Sequence, residues 1–181
     1  TTYIFTAADF GFTDTDGNSF NRIWVMSLPS QGQLLFNGST FAANNFVMKS
    51  DIDLGLLTYV TAANANGSGY ASFDFQVQDN GGTANGGVNR DSTSNTITFN
   101  VTAQNDAPTA SHGGTYLINE GNSLNLDASG SSDVDGDTLT YVWDLDNNGS
   151  FEAVGQSVSF SAAALDGPTS QMVKLKATDT G

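Results

Sequence analysis

Apolar and polar residues alternate one for one through Ser72-Phe73-Asp74-Phe75-Gln76-Val77-Gln78, and again through Thr96-Ile97-Thr98-Phe99-Asn100-Val101-Thr102. A period of two is the mark of a strand with one buried face. Strand-like runs also occupy 3–6, 20–28, 33–36 and 56–61, and later 115–118, 123–127, 138–143, 158–161 and 172–178. Turn signals stand between them: Asp16-Gly17, Pro29, Asn37-Gly38, Asn66-Gly67 and Asn80-Gly81-Gly82. Single helical turns fit at 42–46 and 161–165. Short strands broken by frequent turns predict a β-sandwich architecture.

The pattern repeats. Asp14, Asp16, Gly17, Ser19, Phe20 and Trp24 correspond to Asp133, Asp135, Gly136, Thr138, Leu139 and Trp143 at a constant offset of 119. Ungapped matches at one offset mark an internal repeat. Phe75-Gln76-Val77-Gln78-Asp79-Asn80-Gly81 likewise resembles Leu175-Lys176-Ala177-Thr178-Asp179-Thr180-Gly181. Between the copies lies Gln104-Asn105-Asp106-Ala107-Pro108, where proline stiffens the exit from the last strand. Two domains are therefore expected, 1–105 and 106–181. The first has a strand after its Asp79 turn; the second stops at the matching turn, so its last strand is expected to be missing and the chain to be a piece of a longer protein.

Composition narrows the partners. The 181 residues carry 19 acids against five Lys plus Arg, a formal charge of −14. Nucleic acid and anionic membrane surfaces need basic patches, so neither is an expected partner. No apolar run approaches the roughly 20 residues of a membrane span. Cysteine is absent, which removes disulfides and thiolate sites. Seventeen of the acids are Asp; only Glu120 and Glu152 are Glu. Asp favours turns and caps over element interiors, so the acids belong in loops. They are either solvated turn residues or ligands of a cation.

The densest group runs from Asp133 to Gly149, where Asp133, Asp135, Asp137, Asp144 and Asp146 fall on alternating positions. Carboxylates so close repel one another unless water, salt or a cation intervenes. Calcium, a hard cation taking several oxygen ligands, would resolve that repulsion. Asp144-x-Asp146-x-Asn148-Gly149 also matches the first half of an EF-hand loop. Glu152 stands at its ninth position, but the twelfth is Gly155 rather than Glu. A hairpin turn capped by its own side chains is the equal alternative.

These residues resemble the cadherin-like repeats of large surface and secreted proteins. Asp133-Val134-Asp135 resembles the cadherin Asp-x-Asp loop, Val173–Gly181 the Val-x-Ala-x-Asp-x-Gly turn, and Asn105-Asp106-Ala107-Pro108 the interdomain linker. The first unit is similar to the chondroitin sulfate proteoglycan type of repeat, through Leu28-Pro29-Ser30-Gln31-Gly32-Gln33-Leu34 and Asp53-Leu54-Gly55-Leu56-Leu57-Thr58-Tyr59-Val60. The second is similar to the polycystic-kidney-disease (PKD) type of immunoglobulin-like domain, through Asp127–Asp133 and Tyr141-Val142-Trp143-Asp144.

The resemblance implies an all-β fold of two tandem immunoglobulin-like or cadherin-like Greek-key sandwiches, with calcium at the junction. Its implied ligands are Asn105, Asp106, Asp133, Asp135 and Asp179. A half-site of Asp14, Asp16 and Asp79 follows from the repeat. Cadherins add glutamates from the preceding domain; the matching region around Asn64-Ala65-Asn66-Gly67 has no acid.

Other chemistry finds little support. His112 is the sole histidine and sits in Ser-His-Gly-Gly, without triad or zinc-site surroundings. The acids recur with turn glycines, which suits turns or ligation better than a tuned hydrolytic pair. Trp24 and Trp143 are expected in the cores, as equivalent aromatics of small sandwiches. The expected function is a calcium-binding structural or adhesive segment, not an enzyme, of a secreted or cell-surface protein. Its partners would be neighbouring repeats and a cell-surface protein or polysaccharide. The alternative is a carbohydrate-binding or accessory module of a polysaccharide-degrading enzyme, for which exposed aromatics on a sheet face would speak.

Overall fold

The longest alternating run becomes the longest strand. In the computed structural model, which describes all 181 residues, Gly67–Asp79 is continuous β-structure with Ala71, Phe73 and Phe75 buried. The chain divides into two compact units, Thr1–Gln104 and Asn105–Gly181. Both are built almost wholly of antiparallel strands, and no helix is long and apolar enough to cross a membrane.

The first unit contains β1 (Thr2–Ile4), β2 (Phe20–Val25), β3 (Gln33–Phe36), β4 (Ser39–Thr40), β5 (Asn45–Met48), β6 (Leu57–Val60), β7 (Gly67–Asp79) and β8 (Asn95–Val101). One helix, α1 (Lys49–Asp53), follows β5. The strands make two four-stranded sheets, β1-β6-β3-β4 and β5-β2-β7-β8. Their buried faces share a core of Phe5, Ile23, Val25, Leu57, Tyr59 and Phe73, each at most 1% exposed, among other residues. Each such side chain contributes roughly 1.5–3 kcal/mol on burial. Tyr59 stacks on Phe99 of β8 at 3.8 Å between ring centroids and donates its hydroxyl to Gln31 O at 2.8 Å.

The second unit contains β9 (Ser123–Asp127), β10 (Thr140–Asp144), β11 (Ala153–Val154), β12 (Ser157–Ser161) and β13 (Lys174–Thr178). They form a three-stranded sheet, β11-β10-β13, and a two-stranded one, β12-β9. The core is smaller: Leu126, Ala128, Trp143 and Val158, with Tyr116, Tyr141, Phe160 and Leu175 packed against it. Trp143 is fully buried and donates its indole N–H to Gly155 O at 2.9 Å. β13 pairs with β10 on one side and forms the edge of its sheet.

Two local expectations need correction, and a third holds. Residues 42–46 do not form a helical turn: Asn45 and Phe46 open β5, whose ladder places buried Val47 opposite Ile23. Tertiary pairing overrides local propensity there, and the helix comes later, as α1. Residues 115–118 join no ladder; Tyr116 instead donates its hydroxyl to His112 O at 2.6 Å, and Leu117 is 95% exposed. Residues 161–165 do hold the expected single turn, closed by Leu165 N–H on Ala162 O at 3.2 Å.

The remaining correction concerns Trp24. The register of β2 against β7 shifts between Phe20 and Arg22. A one-residue slip moves every later side chain to the opposite face. Ile23 and Val25 therefore point inward with no exposure, and Trp24 lies on the outer face, only partly covered. Trp143 stands on a regular strand and points inward.

Candidate metal centre

The loop before β10 folds on its own side chains. Asp133 Oδ1 accepts the backbone N–H of Asp135 at 2.8 Å and of Asp137 at 3.4 Å. Gly136 between them takes φ 79°, a left-handed conformation that glycine adopts without steric cost. This turn gathers Asp133, Asp135 and Asp137, so that one carboxylate oxygen from each lies within 4.8 Å of the others. Asp133 Oδ2 is closed off from solvent and has no hydrogen-bond partner.

The start of the unit and β13 reach the same loop. Asp106 donates its backbone N–H to Asp135 Oδ2 at 2.8 Å. Asn105 Nδ2 donates to Asp179 Oδ1 at 3.2 Å. A Cβ placed on Gly181 would collide with Asn105 Oδ1 and come within 2.8 Å of Asp137 Oδ2. The structure thus ties Asn105, Asp106, Asp133, Asp135 and Asp179 into one neighbourhood, Asp106 through its main chain. Asp137 joins them as a residue the family motif did not supply. Its signal was present in the sequence as the third member of the Asp-x-Asp-Gly-Asp alternation.

The donor set is all oxygen: carboxylates, a carboxamide and nearby main chain. That composition suits calcium or magnesium, and the mix of mobile side chains suits calcium, which takes about six to eight oxygens in flexible geometry. If loaded, the ion would be held chiefly by Asp133, Asp135 and Asp137. It would supply positive charge to a cluster that lacks any.

The corresponding loop of the first unit has the same turn and a different outcome. Asp14 Oδ1 accepts Asn18 N–H at 2.8 Å, and Gly17 has φ 79° like Gly136. But Asn18 stands where the later loop has Asp137, a carboxamide in place of a carboxylate. Asp79 is buried, with one oxygen against Gly81 N–H. Asp14, Asp16 and Asp79 do not converge as the later trio does.

The loop after β10 brings Asp144, Asp146 and Glu152 within the same 4.8 Å. Its oxygens are engaged. Asp144 accepts Asn148 N–H at 3.1 Å and Gly149 N–H at 3.0 Å. Asp146 accepts Asn148 Nδ2 at 2.9 Å, Asn148 Oδ1 accepts Ser150 N–H at 2.7 Å, and Glu152 Oε1 accepts Leu145 N–H at 2.6 Å. Lys174 Nζ lies 3.8 Å from Asp144 Oδ2 and supplies the cation. Burial works against the charge on Asp144. The N–H groups of Gly149, Asn148 and Asn147, aided by Lys174, outweigh it and hold the carboxyl below its ordinary value. This loop has the geometry of a side-chain-capped hairpin.

Residues 105–163 match the family model of the PKD domain. The match begins at the first residue of the second unit and covers both acidic loops and strands β9 to β12. No curated protein and no solved structure matches the chain. The second unit is PKD-like, an immunoglobulin-like β-sandwich of a kind found in extracellular proteins as a structural or adhesive module.

Proposed function

We propose that this chain is a calcium-stiffened spacer or adhesive segment of a secreted or cell-surface protein, without catalytic activity of its own. The observation that carries the reading is Asp133. One of its carboxylate oxygens shapes the loop; the other faces away from water with no partner, beside two more carboxylates. A buried unpaired carboxylate oxygen costs free energy unless a donor or cation meets it. Calcium at this point offsets that cost and the repulsion among Asp133, Asp135 and Asp137.

The mechanical consequence follows from chain order. Asn105 and Asp106 directly follow the first unit and are tethered to Asp179 and Asp135. An ion that holds Asp135 in place also holds the Asp106 tether. The joining segment then loses freedom. Without the ion, the carboxylates repel, that tether loosens and the segment flexes.

Isothermal calorimetry with calcium on the intact chain tests this. The expected result is one stoichiometric site, abolished in Asp133→Asn and weakened in Asp137→Asn, with the hairpin variant Asp146→Asn unaffected. Heat that persists unchanged in Asp133→Asn would overturn the assignment.

A further inference from the structure

The register shift in β2 does more than expose Trp24. It sets Arg22 on the outer face of the β5-β2-β7 sheet, where Arg90, the only other arginine of the chain and bridged to Gln78 of β7, lies over Trp24. The Arg22 guanidinium lies 4.5 Å from the centre of the Phe46 ring, and that of Arg90 lies 4.5 Å from the Trp24 ring. The two rings stand 5.2 Å apart. Trp24 Nε1 donates to Gln78 Oε1 at 2.7 Å, which fixes the indole.

Neither arginine has a carboxylate partner, although the chain carries 19 acids. The two ion pairs both use lysines, Lys49 with Asp53 and Lys174 with Asp144. Asp91, next to Arg90 in the chain, and Asp74 on β7 are turned elsewhere: Asp74 accepts Thr96 Oγ1 at 2.6 Å, and Asp91 accepts Asn95 Nδ2 at 2.7 Å. Arg22 Nε and Arg90 Nε are closed off from solvent without a partner, and Arg90 Nη2 meets only Met26 Sδ at 3.2 Å. Stacking on the rings explains where the guanidiniums lie. It leaves the Nη groups of Arg22 and Nη1 of Arg90, which are not closed off from solvent, without an acceptor, and the end of a guanidinium suits a carboxylate.

The geometry points to this face as a binding site for a carboxylated glycan, an oligosaccharide of uronic-acid units. The guanidiniums pair with the sugar carboxylates. Phe46, 39% exposed, offers the part of its ring that Arg22 leaves uncovered to the C–H groups of a sugar, and Gln76, opposite Trp24 on β7, offers hydrogen bonds to hydroxyls. A net charge of −14 opposes densely charged polymers such as nucleic acid, and two such chains repel each other. A glycan with one charge per sugar spaces its carboxylates more widely than duplex nucleic acid, with about one charge per 1.7 Å, spaces its phosphates, and so meets less of that repulsion. The proposal is independent of the metal centre, which lies in the other unit.

The test is calorimetry of the intact chain with oligogalacturonate, in EDTA so that no cation bridges the sugar to the second unit. Neutral oligoglucose and an acidic peptide of equal length serve as comparisons. Binding of oligogalacturonate that weakens as salt is raised, with no binding of the neutral sugar, is expected. Arg90→Gln and Arg22→Gln should each weaken it at least tenfold, Arg90→Lys less so, and Lys49→Gln not at all. No binding to wild type, equal binding of the neutral sugar, or binding of the acidic peptide alone would each overturn the proposal. The salt response needs no variant and stands even if an arginine substitution disturbs the fold.

Discussion

Asp106 donates its backbone N–H to Asp135 Oδ2 at 2.8 Å, so the first turn of the second unit rests on a carboxylate of the candidate metal centre. Calcium should therefore stabilise the unit beyond the loop itself. A ligand that binds only the folded form contributes about 2.7 kcal/mol at one hundred times its dissociation constant. Thermal melts with and without calcium should show a gain of that order in wild type. Asp135→Ala should lose most of the gain and keep both sandwiches folded, since the loop lies outside the cores. Equal calcium-dependent shifts in wild type and variant would count against the proposed site.

Trp24 and Trp143 hold corresponding places in the sequence and opposite places in the fold. Trp143→Ala removes a fully buried ring and its bond to Gly155 O, at a cost of about 3–5 kcal/mol, enough to unfold a small unit. Trp24→Ala removes a half-covered ring on an outer face and should cost well under half as much. Denaturant melts followed by near-ultraviolet circular dichroism would check the ranking. A Trp24 variant as damaged as the Trp143 variant would mean that β2 does not carry the shift.

That pair also shows what was legible in the sequence. Period-two alternation placed β7 and β8 within a few residues because each has one buried face and one wet face. The Asp-x-Asp-Gly loops were legible because their turn is local: an aspartate oxygen, a glycine and two backbone N–H groups close it. The face of Trp24 was hidden because it depends on one irregular pairing between strands more than 50 positions apart. Strand β5 was hidden because its place is set by pairing with Ile23 and Trp24 across the ladder and not by its local sequence. Asp137 was visible in the alternation, but the family motif that named the other ligands stops short of it.

Gly32, in the Ser-Gln-Gly-Gln turn before β3, is required by space and by backbone at once. Its φ is 70°, and an added Cβ would lie 2.6 Å from Val60 O and 2.5 Å from the Tyr59 hydroxyl. Backbone cannot give way as a flexible side chain can. A left-handed non-glycine residue alone costs on the order of 1–3 kcal/mol. Gly32→Ala should lower the stability of the first unit by at least that much. Gly38→Ala is the comparison: it shares the positive φ, 76°, but meets nothing within 4 Å. Equilibrium unfolding of both should show the larger loss at Gly32; equal losses would show that strain, and not the clash, sets the cost.

Tyr3 and Asp9 make the pH response of the first unit readable at both ends. Asp9 sits in the 3-10 turn Ala7–Phe10, which carries Phe10 into the core. Its Oδ2 accepts Thr6 N–H at 2.7 Å and the Thr6 hydroxyl at 3.0 Å, and its Oδ1 accepts the Tyr3 hydroxyl at 2.7 Å. Partial burial pushes the Asp9 carboxyl up, but these bonds to Thr6 and Tyr3 outweigh it and hold the carboxyl below its ordinary 3.8. The stability they contribute is present above that ordinary value and is lost as pH falls through the lowered one. Tyr3 shifts the other way: its bond to Asp9, then burial and the Asp9 charge, raise it above 10.0. Its contribution is present below pH 10.0 and is lost as pH rises through the raised value. Tyr3→Phe should remove the alkaline loss and shrink the acid loss, because Asp9 keeps Thr6 but loses the hydroxyl. The measurement is the difference in unfolding free energy between wild type and Tyr3→Phe across pH. It should be flat through neutrality and narrow at both extremes. A difference that does not change with pH would mean that the Tyr3–Asp9 bond is not coupled to folding.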